Sequence, residues 1–571
     1  MRRLIILVAL VAAGCAPGGG SGTPFSPGSP GGTSGTGPRP TVDVLRPCRD
    51  SVLADLPEVG DRGPVVERVS SANLESASAS VSQAAFRCAS DVVLVATHDL
   101  ERIAIASRLA TGLGAPLLLG GIGDSSLLAY EIDRLAPQTV WFVGEDVGAA
   151  VPEFSGVEVL QGDNTSLAAQ VNDHIDAGSS VTLPGGGGLD ALRLALAALE
   201  TGAGIVGSSP VGAPPTPIDP VPHMRAGPGT AAIAWLVDGS SPELALVAGA
   251  AAITTDGLMV LVDGEDLRLA TAAARELDSM DGGLRMVQLL GATADSIWQL
   301  PVLLNAEELP GGGFIMFPGR RLVAIYGNPN TTSLGILGEQ GVDASVTRAR
   351  QLAAAYQTND GVVVIPAFEI IVTVAAGSAG DDGDYSNEMP PDQLRPWVET
   401  ARREGLYVLL DLQPGRTDFL TQAKLYEELL LEPHVGLALD PEWRLGPDEV
   451  HLRQIGSVDA AEVNAVVEWL AQLVRDNHLP QKMLLLHQFR LQMLPDRELI
   501  QTPTELAVVI QMDGQGAIPD KYATWGRITE GWEEYGWSYG WKNFYDEDIP
   551  GPIAPAEVLE LVPKVVYVSH Q

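Results

Sequence analysis

A chain of 571 residues with 72 acidic and only 35 basic side chains carries a formal charge of −37. That balance excludes nucleic acid as a partner, because too few cations are present to neutralise a run of phosphates, and it excludes a polybasic contact with anionic lipid. The length leaves room for about three to four domains, and an acidic surface suits a dispersed body outside the cell.

The first elements are not globular. Arg2 and Arg3 precede an apolar run, Leu4 to Ala13, which ends in Ala12-Ala13-Gly14-Cys15. Ten apolar residues are too few to span a bilayer as a helix, which needs about 20. A basic flank, a short apolar core and small residues before a cut site read as a secretory signal. A Cys placed directly after those small residues resembles the lipobox of bacterial lipoproteins, with Ala12 where Leu is commoner. That resemblance implies lipidation at Cys15 and a membrane partner held through the lipid anchor. Residues 16–44 are Gly, Pro, Ser and Thr with almost no large apolar side chains. They read as a disordered tether with a mean reach of roughly 30 Å and a limit of about 95 Å. No later window is apolar enough for a further span. With Cys15 set aside, Cys48 and Cys88 remain as an even pair. Outside the cytoplasm such a pair is expected to oxidise; two buried free thiols are the alternative.

From Val66 onward strands alternate with helices. Asp91 to Thr97, Leu117 to Leu119 and Thr139 to Gly144 read as strands, and Leu100 to Gly112 as a helix. This alternation predicts βαβ units in a mainly parallel sheet. The run Val66-Glu67-Arg68-Val69, Ser76-Ala77, Val81-Ser82, Val93 to Thr97, Leu109 to Leu119 and Trp141-Phe142-Val143-Gly144 resembles the type 2 cell wall-binding repeat of Gram-positive surface proteins. Glu101-Arg102-Ile103-Ala104 stands where that family carries Pro-Asp-Ala-Leu. A second unit runs through Val181-Thr182-Leu183, Leu189-Asp190-Ala191-Leu192 and Gly202 to Gly207, and a third from Leu258 to Gly291. The resemblance covers about residues 45–315 and implies tandem Rossmann-like units that bind cell-wall polymer. Gly202 to Gly207 matches GxGxxG but follows a helical run instead of a strand, so it reads as a helix end entering a strand and not as a nucleotide site. Gly185 to Gly188 does join strand to helix, where amides can meet an anion; a flexible turn is the plainer reading.

Past Pro310-Gly311-Gly312-Gly313 the composition changes: ten of the eleven Tyr and seven of the ten Trp lie beyond residue 320. Strand-like runs recur at Leu322 to Tyr326, Val362 to Pro366, Tyr407 to Asp411, Val435 to Asp440, Met483 to His487, Ala507 to Gln511 and Val565 to Ser569. Helical segments at Ser345 to Tyr356, Pro391 to Glu404, Ala460 to Arg475 and Pro555 to Leu561 separate most of them. Seven strands with helical crossovers predict a (β/α)8-type barrel over residues 320–571 with one strand unseen. In Val435 to Glu442 one face is Val, Leu, Leu and the other is Gly436, Ala438, Asp440, Glu442. One face therefore packs on helices while the other ends in acids.

Barrel enzymes keep their chemistry at the carboxyl ends of the strands, and polar residues gather there: Tyr326, Asn328, Glu369, Asp411, Gln413, His487, Gln488, Gln511, Asp513, Ser569 and His570. Asp440-Pro441-Glu442 is the sharpest element. Two carboxylates at this spacing repel and push one pKa up, which suits a general acid beside an ionised partner. The Asp-x-Glu spacing resembles the motif of barrel-type muramidases and, in part, of chitinases, although Ala438 and Gly436 stand where chitinases carry further Asp. The plain reading is a strand-end turn with two solvated acids.

Trp525, Trp532, Tyr535, Trp537, Tyr539, Trp541, Phe544 and Tyr545 form a late aromatic cluster. Exposed rings would stack on sugars; otherwise they bury as a helix or loop over the barrel mouth. The acidic loop Asp381 to Glu388 lacks EF-hand spacing and reads as solvated. No HExxH, paired CxxC or Gly-x-Ser-x-Gly is present. These elements predict an α/β protein, tandem Rossmann-like units followed by a (β/α)8-type barrel, lipid-anchored in the cell envelope. Its repeats would hold cell-wall polymer or peptidoglycan, and its barrel would bind or hydrolyse a glycan; the residues mark out no cofactor and no metal ligand, and metal dependence stays open. Glu442 is the candidate acid with Asp440 as its partner, and Tyr326, Glu369, Asp411, His487, Gln488, Gln511, Asp513 and His570 are the candidate substrate contacts. The alternative is a non-catalytic surface-binding or scaffold protein.

Overall fold

The computed structural model describes residues 47–57, 64–70, 73–120, 126–144, 156–184, 189–209, 225–226, 232–262, 266–270, 277, 283–291 and 296–571. Cys15, the tether and Gly185 to Gly188 lie outside the described residues. The chain divides into two compact units, 1–297 and 298–571. No described helix is long and apolar enough to cross a membrane.

In the first unit the strands fall into separate sheets instead of one. Leu117–Leu119, Asp91–Val95, Thr139–Val143 and Val157–Leu160 form a parallel sheet in that order. Ser180–Pro184 pairs in parallel with Gly204–Ser209. Ile233–Asp238 lies between Leu258–Val262 and Met286–Leu290 in a third sheet. The sequence reading starts the third unit at Leu258, but a strand and a helix precede it, Ile233–Asp238 and Pro242–Thr255. Val65–Val69, read as the opening of the first unit, pairs instead with Met286–Leu290. A hydrogen-bond chain that starts in the core and ends at the exposed Glu67 supports that pairing: Trp235 Nε1 donates to Gln288 Oε1 at 2.8 Å, and Gln288 Nε2 donates to Glu67 Oε2 at 2.9 Å.

The helix Pro242–Thr255 is apolar on every side and buried from Leu244 to Ala252. It packs against the helices Leu74–Ala85, Leu100–Leu113 and Leu189–Thr201, because a helix without a polar face is stable only when surrounded. Gly202 ends the last of these helices in the left-handed region at φ 72° and leads into the strand at Gly204. The glycine pattern there is a helix stop, as its position predicts. A disulfide joins Cys48 to Cys88, with Cα atoms 6.0 Å apart, so the expected oxidised pair is formed.

The second unit contains a closed barrel of eight parallel strands. In chain order they are Arg320–Gly327, Val363–Ala375, Tyr407–Leu412, Val435–Leu439, Lys482–His487, Leu506–Met512, Ser538–Asn543 and Val565–His570. The first strand pairs with both the second and the eighth, which closes the ring. α-Helices fill the links except between the fifth and sixth strands, where only short 3-10 turns occur. The seventh strand is the one the sequence reading lacks. It runs through the aromatic cluster, and Tyr539 and Trp541 bury against helix residue Trp525 outside the barrel.

Side chains alternate across each strand as the pleat requires. One set, including Val408, Leu410, Leu437, Leu439, Leu484 and Leu486, packs under the helices. The other, including Leu322, Ala324, Tyr407, Leu409, Ala438, Met483, Leu485, Val509 and Tyr567, fills the interior. Leu309 and Met316, from the segment before the first strand, join this inner core. Gly436 is obligatory in it: a Cβ there would stand 2.6 Å from the Met483 carbonyl oxygen.

Candidate active site

Above the apolar interior the same inward positions turn polar. Tyr326 follows Leu322 and Ala324, Glu369 follows Ile365 and Ala367, Asp411 follows Tyr407 and Leu409, and Asp440 follows Gly436 and Ala438. His487 follows Met483 and Leu485. Gln511, Lys542 and Ser569 hold the matching places on the last three strands. All of these side chains are buried.

His487 is the hub. Its Nδ1 lies 2.9 Å from Asp513 Oδ2, and its Nε2 lies 2.9 Å from Glu369 Oε1 and 3.7 Å from Asp411 Oδ1. The far oxygens of those two carboxylates are held by phenols: Tyr567 donates to Glu369 Oε2 at 2.8 Å and Tyr326 donates to Asp411 Oδ2 at 3.1 Å. Lys542 Nζ sits 3.3 Å from the centre of the Tyr326 ring, a cation–π contact. Gln511, in register with His487, donates to Ser569 Oγ at 2.6 Å.

The electrostatics follow from so many acids in a buried place. Burial opposes a proton on His487, but Asp411 and Asp440, with the contacts to Asp513 and Glu369, outweigh it and carry its pKa well above the ordinary value. Burial raises Glu369, and His487, Lys542 and Tyr567 more than reverse this, leaving it below the usual range. Burial pushes Asp411 up to about 6. Asp440 is raised well above the carboxylate range by burial and then by Glu442. Glu442 is pushed up to about 7 by burial and by repulsion from Asp513. The expected repulsion within Asp440-Pro441-Glu442 is thus present, and burial exceeds it.

A cavity of about 560 Å³ opens over this cluster, lined among others by Tyr326, Asp440, Glu442, Trp443, Asp513 and Lys542. Glu442 sits just past the fourth strand on a short 3-10 turn, Pro441–Trp443. The turn places the carboxyl over the barrel and half-buries it.

Two expected contacts are elsewhere. Gln488 follows His487 and so points to the opposite side, where its Oε1 accepts from Arg497 at 2.9 Å. His570 follows Ser569 in the same way and meets Tyr356 and Tyr545 at 3.1 and 3.3 Å. Burial lowers its pKa to about 4. Alternation within their strands assigns both outward once His487 and Ser569 are known to face in. Lys542 and Tyr567 are absent from the sequence reading. The signal for Lys542 was the two-residue period of Ser538, Gly540 and Lys542 against Tyr539, Trp541 and Asn543, obscured by reading the stretch as an aromatic cluster. The acidic loop finds partners within itself and in the segment after the third strand: Asp384 accepts from Ser386 N and Thr417 Oγ1, and Glu388 from Gln422.

No protein-family profile and no curated protein matches the sequence. Among solved structures, Cwp6 and Cwp8 from Clostridium difficile align with it. Cwp6 aligns at 15% identity and a TM-score of 0.34, over 61% of this chain and 63% of its own. Cwp8 aligns at 14% and 0.33, over 42% of this chain and 52% of its own. This chain therefore spans less than two thirds of either protein, and likeness at these scores carries no argument about function.

Proposed function

We propose that the barrel is a glycoside hydrolase acting on a cell-envelope glycan. The observation that carries this reading is a half-buried carboxyl, Glu442, with a pKa near 7, facing an open cavity that Asp513 also lines. Such a group is protonated often enough at neutral pH to act as an acid. Glu442 gives its proton to the glycosidic oxygen as the bond from that oxygen to the sugar breaks, and a water molecule then adds to the sugar carbon and returns a proton to Glu442. Asp513 faces the positive charge that develops on the ring. Asp440, paired with Glu442 by the motif alone, is the more deeply buried and the more strongly raised of the two. Asp513, whose repulsion helps to raise Glu442, therefore takes the partner's role in its place. Trp443 and Phe544 on the cavity wall supply apolar faces for a sugar ring.

The chain's setting in this reading is the envelope. Cys15 carries a lipid, residues 16–44 form a tether, and the tandem units over about 45–315 hold wall polymer, as the resemblance of those segments implies. The test is incubation of the purified protein with peptidoglycan and with other envelope glycans, followed by mass spectrometry of released sugars. Release by the wild type and its loss in Glu442→Gln is the expected result. No release from any glycan overturns the hydrolase and leaves a binding or scaffold protein. Retention of the protein on intact walls, reduced on walls stripped of anionic polymer, tests the binding role.

A further inference from the structure

We propose that Glu369, Asp411 and His487 form a binding site for one divalent transition-metal ion at the centre of the barrel's carboxyl end.

The three side chains come from the second, third and fifth strands and are fully buried. Each is held from behind and left unsatisfied in front. Tyr567 takes one oxygen of Glu369, Tyr326 takes one oxygen of Asp411, and Asp513 takes Nδ1 of His487. The remaining atoms, Glu369 Oε1, Asp411 Oδ1 and His487 Nε2, are buried without a hydrogen-bond partner. Nε2 stands 2.9 Å from Glu369 Oε1 and 3.7 Å from Asp411 Oδ1, and the second distance is too long for a hydrogen bond. These three atoms lie within 4.8 Å of one another. Atoms bound about 2.1 Å from a shared ion stand roughly 3.0–3.4 Å apart, and the separations from Nε2 of 2.9 and 3.7 Å bracket that range.

A proton fills this place poorly. Nε2 carries at most one hydrogen, and two carboxylate oxygens face it, so one buried acceptor stays unmet at a cost of about 1–3 kcal/mol. Lys542 does not serve either, since its Nζ lies over the Tyr326 ring and makes no hydrogen bond to the three. A metal ion satisfies all three atoms at once. The outer partners match what metal sites require: a carboxylate behind the imidazole to fix its tautomer and donors behind the ligating carboxylates. An imidazole nitrogen among the ligands suits zinc or iron better than calcium or magnesium, and the two carboxylates suit manganese. A second grouping, Asp440 with His487 and Asp513, shares the same ring. It is disfavoured because Asp513 already occupies Nδ1.

The inference stands apart from the hydrolase reading, and its test does not use activity. The purified protein is stripped with EDTA and titrated with Zn²⁺, Mn²⁺ and Co²⁺. Bound metal is counted by mass spectrometry after gel filtration, and the Co²⁺ form is examined by absorption. One equivalent retained per chain, a raised Tm and a Co²⁺ ligand-field band are expected. Asp411→Asn and His487→Gln should lose the equivalent. Glu442→Gln, and Asp382→Asn in the acidic loop, should keep it. Tyr567→Phe, which leaves the three ligands in place, should weaken affinity about 10- to 100-fold. Circular dichroism identifies a variant that fails to fold, and the wild-type count then decides alone. No retained metal in the wild type, or equal retention in folded Asp411→Asn, overturns the proposal. Metal binding without glycan release would sink only the hydrolase.

Discussion

Tyr567 donates its phenol proton to one oxygen of Glu369 at 2.8 Å and so turns the other oxygen toward His487. The two residues sit on the eighth and second strands, on either side of the first, so this contact spans the closure of the barrel. Tyr567→Phe keeps the ring and removes the donor, leaving Glu369 Oε2 buried and unpaired. The expected loss is about 1–3 kcal/mol in denaturant unfolding; an unchanged midpoint would show that this oxygen finds another partner.

Glu442 links activity and stability to pH in opposite ways from a salt-bridged acid. Its folded pKa of about 7 lies above its ordinary 4.5. The native state therefore holds a proton that the unfolded chain has released. That contribution is complete below about pH 4.5 and disappears as pH rises through about 7. In EDTA-treated protein, Glu442→Gln should raise Tm relative to the wild type at pH 8 and much less at pH 4. Wild-type glycan release should fall as pH climbs past 7, and the variant should lose about 10²- to 10⁴-fold in rate below pH 7, a deficit that narrows above it.

Lys521 and Asp548 form a buried pair at 2.6 Å, and Lys521 also donates to the main-chain oxygen of Lys542 at 2.9 Å. Asp548→Ala strands a buried ammonium and should cost about 3–5 kcal/mol. The double variant Lys521→Met with Asp548→Leu should recover most of it. Equal losses in both would assign the damage to packing instead of charge.

Replacing Cys48 and Cys88 together by Ser should lower the stability of the first unit by about 2–5 kcal/mol. Reducing agent should shift the wild type to the same unfolding temperature and leave the variant unmoved.

If Cys15 carries a lipid, Cys15→Ala should move the protein out of the membrane fraction on cell fractionation while part of it stays with the wall. Unchanged membrane retention would refute lipid anchoring at that residue.

Much of the barrel is legible in the sequence because its strands are short apolar runs between helices. Pro391–Glu404 matches its expected bounds, and Ala460–Asp476 differs by one residue. The alternation in Val435 to Glu442 also sorts inner from outer faces correctly. Ser538–Asn543 is different: it contains Gly540 and three polar residues, and its strand character comes from neighbours on both sides. The pairing of Val65–Val69 with Met286–Leu290 is hidden for another reason. Two strands over 200 residues apart carry no local mark of their partner, and only the surrounding packing selects it. His487 was visible as a polar strand end. That its free nitrogen meets two carboxylates held by tyrosines depends on barrel closure.

The disulfide has a mechanical consequence. Tension applied from the N-terminal side reaches Cys48 and crosses the S–S bond to Cys88. It therefore bypasses the intervening loop and the strand Val65–Val69 within it. The load enters instead next to Asp91–Val95, which is flanked by parallel neighbours on both sides. With the disulfide formed, the strand Val65–Val69 stays off the path of a pull from the N-terminal side. In a reducing environment the same pull would peel that strand among the first.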